Sequence, residues 1–408
     1  MASSSGVPPP CSSLRAKRKC TRKDEDTSLD WANLPEGPAG SIAERLLSDD
    51  VADYVRFRAA CAAWRACSVE PRAHSVLHQR FHPRLWVMLP STLNAAGNRR
   101  LFLNVSTGER IRVRLPDPHG CYVLGHTAEG LVLLCWKDTY LIQLLNPLTG
   151  QLADLPSAAA LLKESPSLAF INPFAQQRSN NHSPSKKWSL DDELEAFSLR
   201  SAGLAGNSTI AIHFGRCFDI LAFAQPGDES WMTPSSIPPQ FLSAFMFAGR
   251  FYCITEDNML VVEITANQQP QLVQVASYTL GRPVRLFDDI YPVVNDGTLF
   301  ICLRHDKFSL GENCCTYRAN VETGKMIPTK LLDGHSLFVD QYDPRSILVP
   351  AGISPSIKPD TIYVCKGDDN SGRPRIDAFN AFGGRSIEQP SVDAEDIAYY
   401  LSCYARGY

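Results

Sequence analysis

Three histidines, His74, His78 and His82, recur at intervals of four, a spacing that sets imidazoles on one face of a helix, where two of them could begin a zinc site. The pattern stops short of one. Pro83 ends the run, no Glu follows His74 and no cysteine pair lies nearby, so the run reads as an exposed basic helix face. Ser183-Pro-Ser-Lys186 has the S-x-x-K spacing of an acyl-transfer nucleophile, but it falls in a polar stretch with no rigid shell to hold it. Asp191-Asp192-Glu193 and Asp288-Asp289 place carboxylates side by side, as general acid–base pairs do; both read as solvated surface. No Gly-rich phosphate loop, nucleophile elbow or H-E-x-x-H motif occurs. The sequence therefore nominates no catalytic residue, metal ligand or cofactor.

The elements that would carry any function divide the chain in three. Residues 1–28 are rich in Ser, Pro and charge, too polar to bury a core, and read as a disordered tail. Within it Arg15, Lys17, Arg18, Lys19, Arg22 and Lys23 form a dense basic cluster, the composition of a nuclear import signal or of a solubilising tail. Residues 29–82 lack β-turn signals and carry apolar residues at helical spacing, with Asp49, Asp50 and Asp53 as helix starts. Ile42, Leu46 and Leu47 share one face of a first helix, and Val51, Tyr54, Val55, Phe57, Cys61 and Trp64 add more apolar surface. So small a unit has too few layers to bury all of this, which leaves a surface for a partner or for the following domain.

From residue 84 to 408 the texture becomes short β-branched and aromatic runs (LWVML, GLVLLCW, TIAIHF, MLVVEI, TLFICL, TIYVC) split by turns, which predicts an all-β domain. Asn104-Val-Ser-Thr-Gly108, Asn146-Pro-Leu-Thr-Gly150 and Asn320-Val-Glu-Thr-Gly324 repeat N-x-x-T-G, and Asn380-Ala-Phe-Gly-Gly384 is a looser copy. In such a turn Asn bonds its own backbone and Gly supplies positive φ. The first interval is 42 residues and the next 174, close to four times as long. A period near 42 matches one four-stranded blade, predicting a β-propeller of six blades, or seven, over a sandwich. Turns at Gln225-Pro-Gly-Asp228 and Ala266-Asn-Gln-Gln-Pro270 fall where further blades would be marked, and residues 157–200 read as an inserted loop. Trp136, Trp231, Tyr291 and Phe338 have the residue types of interface anchors, though most such residues are core.

Leu34-Pro35, the Ile42-x-x-x-Leu46 helix and Asp53-Tyr-Val-Arg-Phe-Arg-Ala-Ala-Cys61-Ala-Ala-Trp64-Arg65 together resemble an F-box. Phe81-His-Pro-Arg-Leu-Trp86, Asn146-Pro-Leu-Thr-Gly150 and the late DGHSLFVD and TIYV runs are similar to plant F-box proteins with a KIB-type β-propeller. The resemblance implies a non-catalytic substrate receptor of an SCF-type, cullin-based ubiquitin ligase. The helices would bind a Skp-type adaptor and the propeller an unidentified target protein. It also implies that Leu34, Pro35, Ile42, Leu46, Val55, Cys61 and Trp64 contact the adaptor or support that contact. The sequence departs from the F-box pattern at Glu36-Gly37-Pro38-Ala39-Gly40, where two glycines and a proline predict a delayed or frayed first helix.

Composition bounds the alternatives. The net charge is −3 despite the basic tail, so the body is mildly acidic and unsuited to gripping nucleic-acid phosphates. No apolar run is long enough to span a bilayer and no apolar stretch precedes the basic cluster, which predicts a chain that is not secreted and resides in nucleus, cytoplasm or both. Thirteen cysteines without any CxxC pair, several inside apolar runs, read as buried free thiols. Two other readings stand beside the receptor. One is a propeller enzyme, which would need carboxylates converging on the central funnel. The other is an intracellular scaffold or nuclear regulator acting without a ligase.

Overall fold

The computed structural model describes residues 31, 34–90, 99–116, 120–164, 199–215, 219–238, 241–265, 268–280, 288–305, 313–340, 346–368, 374–381, 386–387 and 396–406. The chain opens with three helices, α1 (Glu36–Asp49), α2 (Val51–Ala60) and α3 (Ala62–Ala66). α1 begins directly after Pro35, not delayed as the glycines and proline suggested. Pro38 lies in the first turn, where its missing N–H has no intrahelical acceptor to lose. The first turn is thus free to form, and Ala39 within it is buried. Between α3 and the first strand there is no continuing helix. Two short 3-10 turns, Pro71–Ala73 and Gln79–Phe81, occupy the stretch, so His74, His78 and His82 do not form a helical stripe.

Six sheets follow. Blade 1 is β1 (Trp86–Met88), β2 (Arg99–Asn104) and β3 (Arg110–Arg114). Blade 2 is β4 (Cys121–His126), β5 (Val132–Trp136), β6 (Leu141–Leu145) and β7 (Leu152–Ser157). Helix α4 (Ala158–Glu164) then leads toward blade 3, which is β8 (Leu199–Ala205), β9 (Thr209–Gly215) and β10 (Asp219–Ala224). Blade 4 comprises β11 (Phe241–Phe247), β12 (Arg250–Thr255), β13 (Asn258–Glu263) and β14 (Gln271–Ser277). Blade 5 comprises β15 (Asp289–Asn295), β16 (Thr298–His305), β17 (Asn313–Ala319) and β18 (Met326–Thr329). Blade 6 holds β19 (His335–Asp340), β20 (Ser346–Pro350), β21 (Thr361–Asp368), β22 (Pro374–Asn380) and β23 (Ser386–Ile387), and helix α5 (Ile397–Arg406) comes after it.

Neighbouring blades are joined by apolar clusters that run round the ring. Trp86, Met88 and Phe102 meet Val132 and Leu134 between blades 1 and 2. Leu133 and Leu144 meet Ile210 and Ile212 between blades 2 and 3, and Phe223 meets Phe251 edge-on between blades 3 and 4. Met259 and Val261 meet Leu299 and Ile301 between blades 4 and 5, and Phe300 meets Val339 and Val364 between blades 5 and 6. The ring closes where Leu101 and Leu103 of blade 1 share a core with Phe338, Val349 and Tyr363 of blade 6. The fold is a six-bladed β-propeller.

The closing seam is where the all-β expectation needs correcting. Among the described residues no strand pairing joins blades 1 and 6; α5 packs into their common core instead. It buries Ala398, Leu401, Tyr404 and Ala405 against β19, β20, β21 and β22 and against Leu101 and Leu103. Asp396 caps it, accepting from the Ala398 N–H at 2.9 Å and from the Ser356 hydroxyl at 2.7 Å. The apolar positions 398, 401, 404 and 405 are helically spaced, a signal outweighed by the long β-rich stretch before it.

The insertion at 157–200 also begins in order, because α4 buries Ala158 and Leu161 between blades 2 and 3. The length of chain from there to β8 also sets the spacing of the turns. The interval from Asn146 to Asn320 spans three blades, not four, since the N-x-x-T-G turns lie between β2 and β3, β6 and β7, and β17 and β18. The long connection between β7 and β8 takes up the surplus.

Cys121, Cys135, Cys253, Cys302 and Cys365 are buried and outside any disulfide, and burial pushes the Cys302 thiol up to about 12. Of the anchor types, Trp231, Tyr291 and Phe338 are core, while Trp136 is half-buried and donates to Gln143. Asp288 and Asp289 are not solvated surface. Asp288 is buried, and Asp289 lies 3.9 Å from the buried Arg304 guanidinium. Among the described residues, no helix is long and apolar enough to cross a membrane.

If α5 closes the ring, Leu401→Ala should cost about 2–5 kcal/mol, the usual range for opening a cavity at a fully buried leucine. Denaturant unfolding measures this, and a loss below about 1 kcal/mol would rule out a closing role.

Candidate functional site: the helical unit seated on blades 1 and 2

Asp50 is the junction of the N-terminal unit. Its extended backbone (φ −151°) ends α1 and starts α2. Its carboxylate accepts from the Ala52 N–H at 2.8 Å, capping α2. The same carboxylate accepts from Trp86 Nε1 at 2.9 Å and from Asn104 Nδ2 at 2.9 Å. One side chain thus ties two helices to the first strand and first turn of the propeller. Beside it Ala52 enters the core between blades 1 and 2, and Arg56 forms ion pairs with Asp53 and with Glu109 of the blade 1 turn.

The blade 2 turn makes the second mooring. Asn146 Nδ2 donates to the Phe81 carbonyl at 2.8 Å, Gln151 Nε2 donates to the His74 carbonyl at 2.6 Å, and the Thr149 carbonyl accepts from Arg72 Nε at 3.1 Å. Leu148 packs against the helical core. Within the unit, buried Arg58 gathers the stretch after α3, donating to the Ser68 carbonyl at 2.6 Å and pairing with Glu70. The Tyr54 hydroxyl donates to the Val69 carbonyl at 2.5 Å.

This seating buries Ala39, Ala43, Leu47, Val51, Ala52, Tyr54 and Phe57. It leaves the seven residues singled out in the sequence at least partly open. Pro35 and Ile42 are exposed, Ile42 by 39%. Leu34, Leu46, Val55, Cys61 and Trp64 are half-buried. Leu46, Val55 and Trp64 pack on the helical core from its edge. Trp64 stacks on Phe57 with ring centres 4.6 Å apart and donates through Nε1 to the Trp31 carbonyl at 2.9 Å. Cys61 Sγ caps α3 by accepting from the Trp64 N–H at 3.4 Å, so it supports Trp64 as well as standing partly exposed. The six basic residues from Arg15 to Lys23, Ser183-Pro-Ser-Lys186, the Asp191 cluster and the glycines of the looser turn after Asn380 lie outside the described residues.

The sequence marked Asp50 only as a helix start, and Asn104 and Asn146 only as turn formers. Their second role, moorings for the helical unit, is invisible in a local pattern. A coincidence in spacing was the one available signal, since the residue five beyond each asparagine, Glu109 or Gln151, also reaches the unit.

The histidines take different places. His74 and His78 have ring centres 4.6 Å apart, and both lie against Phe81. His82 is buried with no hydrogen bond to either ring nitrogen, and its burial lowers the imidazole pKa to about 4. No group of three or more His, Cys, Asp or Glu among the described residues is placed to hold a metal ion.

Two consequences are measurable. Asp50→Ala removes a helix cap and strands the Trp86 and Asn104 donors, so unfolding stability should fall by about 2–4 kcal/mol. Asp49→Ala, at an exposed neighbour, should stay within about 0.5 kcal/mol. Equal effects of the two in denaturant titration would refute the junction role. For His82 the folded pKa lies below the unfolded value of 6.5, so the unfolded chain binds the extra proton. Stability is therefore full above pH 6.5 and is lost as pH falls toward 4. The slope limits this single-site loss to about 2 kcal/mol between pH 7 and 5. His82→Gln should flatten that part of the pH–stability curve, and an unchanged curve would exclude the assignment.

The sequence pattern of the KIB1-4 beta-propeller family matches residues 102–398. No curated protein matches the chain. Among solved structures, a protein of unknown function from Bacteroides caccae is 12% identical, with 74% of this chain and 92% of that chain covered and a TM-score of 0.31. A calcium-binding regucalcin from Agrobacterium tumefaciens is 11% identical over 74% of this chain and 79% of that one, with a TM-score of 0.30. A prolyl endopeptidase is 12% identical with a TM-score of 0.32, covering 78% of this chain, and this chain spans 41% of its length. Overlaps as loose as these carry no argument about function. The family match runs from β2 of the first blade into α5, across all six sheets, and the chain belongs to the KIB1-4 beta-propeller family.

Proposed function

We propose that this protein is the substrate receptor of an SCF-type ubiquitin ligase, its N-terminal helices an F-box for a Skp-type adaptor and its propeller the holder of a target protein. One observation carries the reading. The side of the helical unit held by Asp50, Ala52 and Arg56 faces the propeller, whereas Leu34, Pro35, Ile42, Leu46, Val55, Cys61 and Trp64 stay uncovered or half-covered. An apolar edge left in water on so small a unit is the property of a surface that a second polypeptide covers. In this role the protein performs no chemistry of its own. It raises the local concentration of target beside the ubiquitin donor, which needs only two simultaneous grips on one body. Such a receptor would work in the nucleus or the cytoplasm, and the basic cluster at Arg15, Lys17, Arg18, Lys19, Arg22 and Lys23 would serve import.

The test is capture of the full-length chain by a purified Skp-type adaptor. Ile42 is exposed, so Ile42→Asp should leave the melting temperature unchanged while placing an unpaired charge in the contact. Retention should fall about tenfold or more, because a buried unpaired carboxylate costs several kcal/mol. Capture of the variant at the wild-type level, or no capture of the wild type, would sink the reading.

A further inference from the structure

The three N-x-x-T-G turns are built alike. In each, the asparagine N–H donates to the carbonyl of the residue five beyond it, at 2.8 Å from Asn104 to Glu109, 2.9 Å from Asn146 to Gln151 and 3.0 Å from Asn320 to Lys325. In each, the glycine N–H donates back to the asparagine carbonyl at 2.9 Å, with glycine φ of 75°, 71° and 68°. The asparagine Oδ1 is used within the turn, accepting from the N–H groups two and three residues on. The Nδ2 amide is thereby left to donate outward.

Two of these turns hold chain segments, and both use the same two positions. At blade 1, Asn104 receives the Asp50 carboxylate and Glu109 pairs with Arg56. At blade 2, Asn146 receives the Phe81 carbonyl and Gln151 receives the His74 carbonyl. Both asparagines are covered, 1% and 0% exposed. In each case the residue five beyond the asparagine matches its guest, acid against base or amide against carbonyl.

At blade 5 the same platform stands open. Asn320 and Lys325 are exposed, and neither side chain is bonded through Asn320 Nδ2 or Lys325 Nζ among the described residues. Beside the turn lies a shallow groove with Phe247, Val321 and Ile327 in its lining, Ile327 being 47% exposed. Of the charged groups there, Arg318 is engaged by Asp333 at 3.1 Å and Glu322 is the carboxylate in the lining. By the rule of the two occupied turns, a lysine at the matching position calls for an acid.

We propose that the blade 5 turn is a docking site for an acidic segment of a partner polypeptide, with Asn320 donating to a carboxylate or carbonyl and Lys325 pairing with a second carboxylate one or two helical turns away. The site is separate from the adaptor surface, so it stands or falls independently of the ligase reading.

The probe follows from the blade 1 guest. A fluorescein-labelled peptide spanning residues 45–60 carries Asp50 and, six residues on, Arg56; its Arg56→Glu version presents the acid that Lys325 requires. Fluorescence anisotropy with the full chain should show the Arg56→Glu peptide binding more tightly than the unaltered one. Lys325→Glu should weaken the former by about tenfold, the effect of turning one attraction into one repulsion, and should favour the latter. Asn320→Asp keeps Oδ1 for the turn and removes the outward donor, so it should also weaken binding while leaving the melting temperature unchanged. Binding indifferent to Lys325→Glu, no exchange of preference between the peptides, or no binding of either would overturn the proposal.

Discussion

An asparagine side chain has one acceptor and one donor end, and the organisation of this molecule depends on how the N-x-x-T-G turns divide them. The oxygen is committed to two backbone N–H groups of its own turn. The amide must then find an acceptor outside, and once buried it costs about 1–3 kcal/mol if it finds none. Asn104 and Asn146 are buried, so the helical unit has to bring acceptors to two fixed points about one blade apart. Two points set the orientation of a small body far better than one, and the Asp50 carboxylate supplies the first while closing both α1 and α2.

The glycine in each turn makes the same point through sterics. At Gly108 a Cβ would lie 2.5 Å from the Ile397 side chain, and at Gly324 it would lie 1.9 Å from the Ser277 carbonyl oxygen. Both residues are also at positive φ, so the turn sequence serves its conformation and its close approach to neighbours together. At Gly108 the neighbour is α5, which shows how near the helical mooring lies to the ring's closing seam. Arg110, just beyond that turn, donates to the Tyr400 hydroxyl of α5 at 2.8 Å. Blade 1 is therefore gripped from two sides, by the N-terminal helices and by the C-terminal one.

Much of this architecture is legible in the sequence because it is local. Period-two runs, turn glycines and a spacing near 42 residues are enough for a propeller, and the uncovered character of Ile42 and Pro35 follows from too many apolar residues on too few helical turns. What was not legible is set by distant partners. Pro38 and Gly40 looked like helix breakers, yet a proline in the first turn loses no hydrogen bond. His74, His78 and His82 had helical spacing without a helix, because the segment follows its moorings at Arg72, His74 and Phe81 instead. The count of six blades holds, but the Asn146 to Asn320 interval covers three blades where its length suggested four, because the long connection between blades 2 and 3 mimicked a repeat. Asp289 looked solvated only because Arg304, its buried neighbour, is placed by tertiary structure, and the burial of Asp288 is likewise set by the fold.

If the helical unit offers its apolar edge to a partner, as proposed, it faces a constraint on its own attachment. If it were fixed to the propeller by its largest hydrophobic residues, little would be left for anything else. Here the three helices contribute mainly small or polar side chains to the attachment: Ala52 enters the propeller core and Asp50 and Arg56 make directional bonds, as do Arg72 and the Phe81 carbonyl after them, while the apolar contact from the propeller side is Leu148. Directional bonds contribute modest net free energy but fix geometry, and the receptor role proposed above would require fixed geometry, since the distance between two grips sets the effective concentration of whatever they hold. The larger apolar side chains at Ile42, Leu46, Val55 and Trp64 are thereby kept from the propeller. On this argument the polar moorings and the open edge are two results of one division of labour within the same three helices.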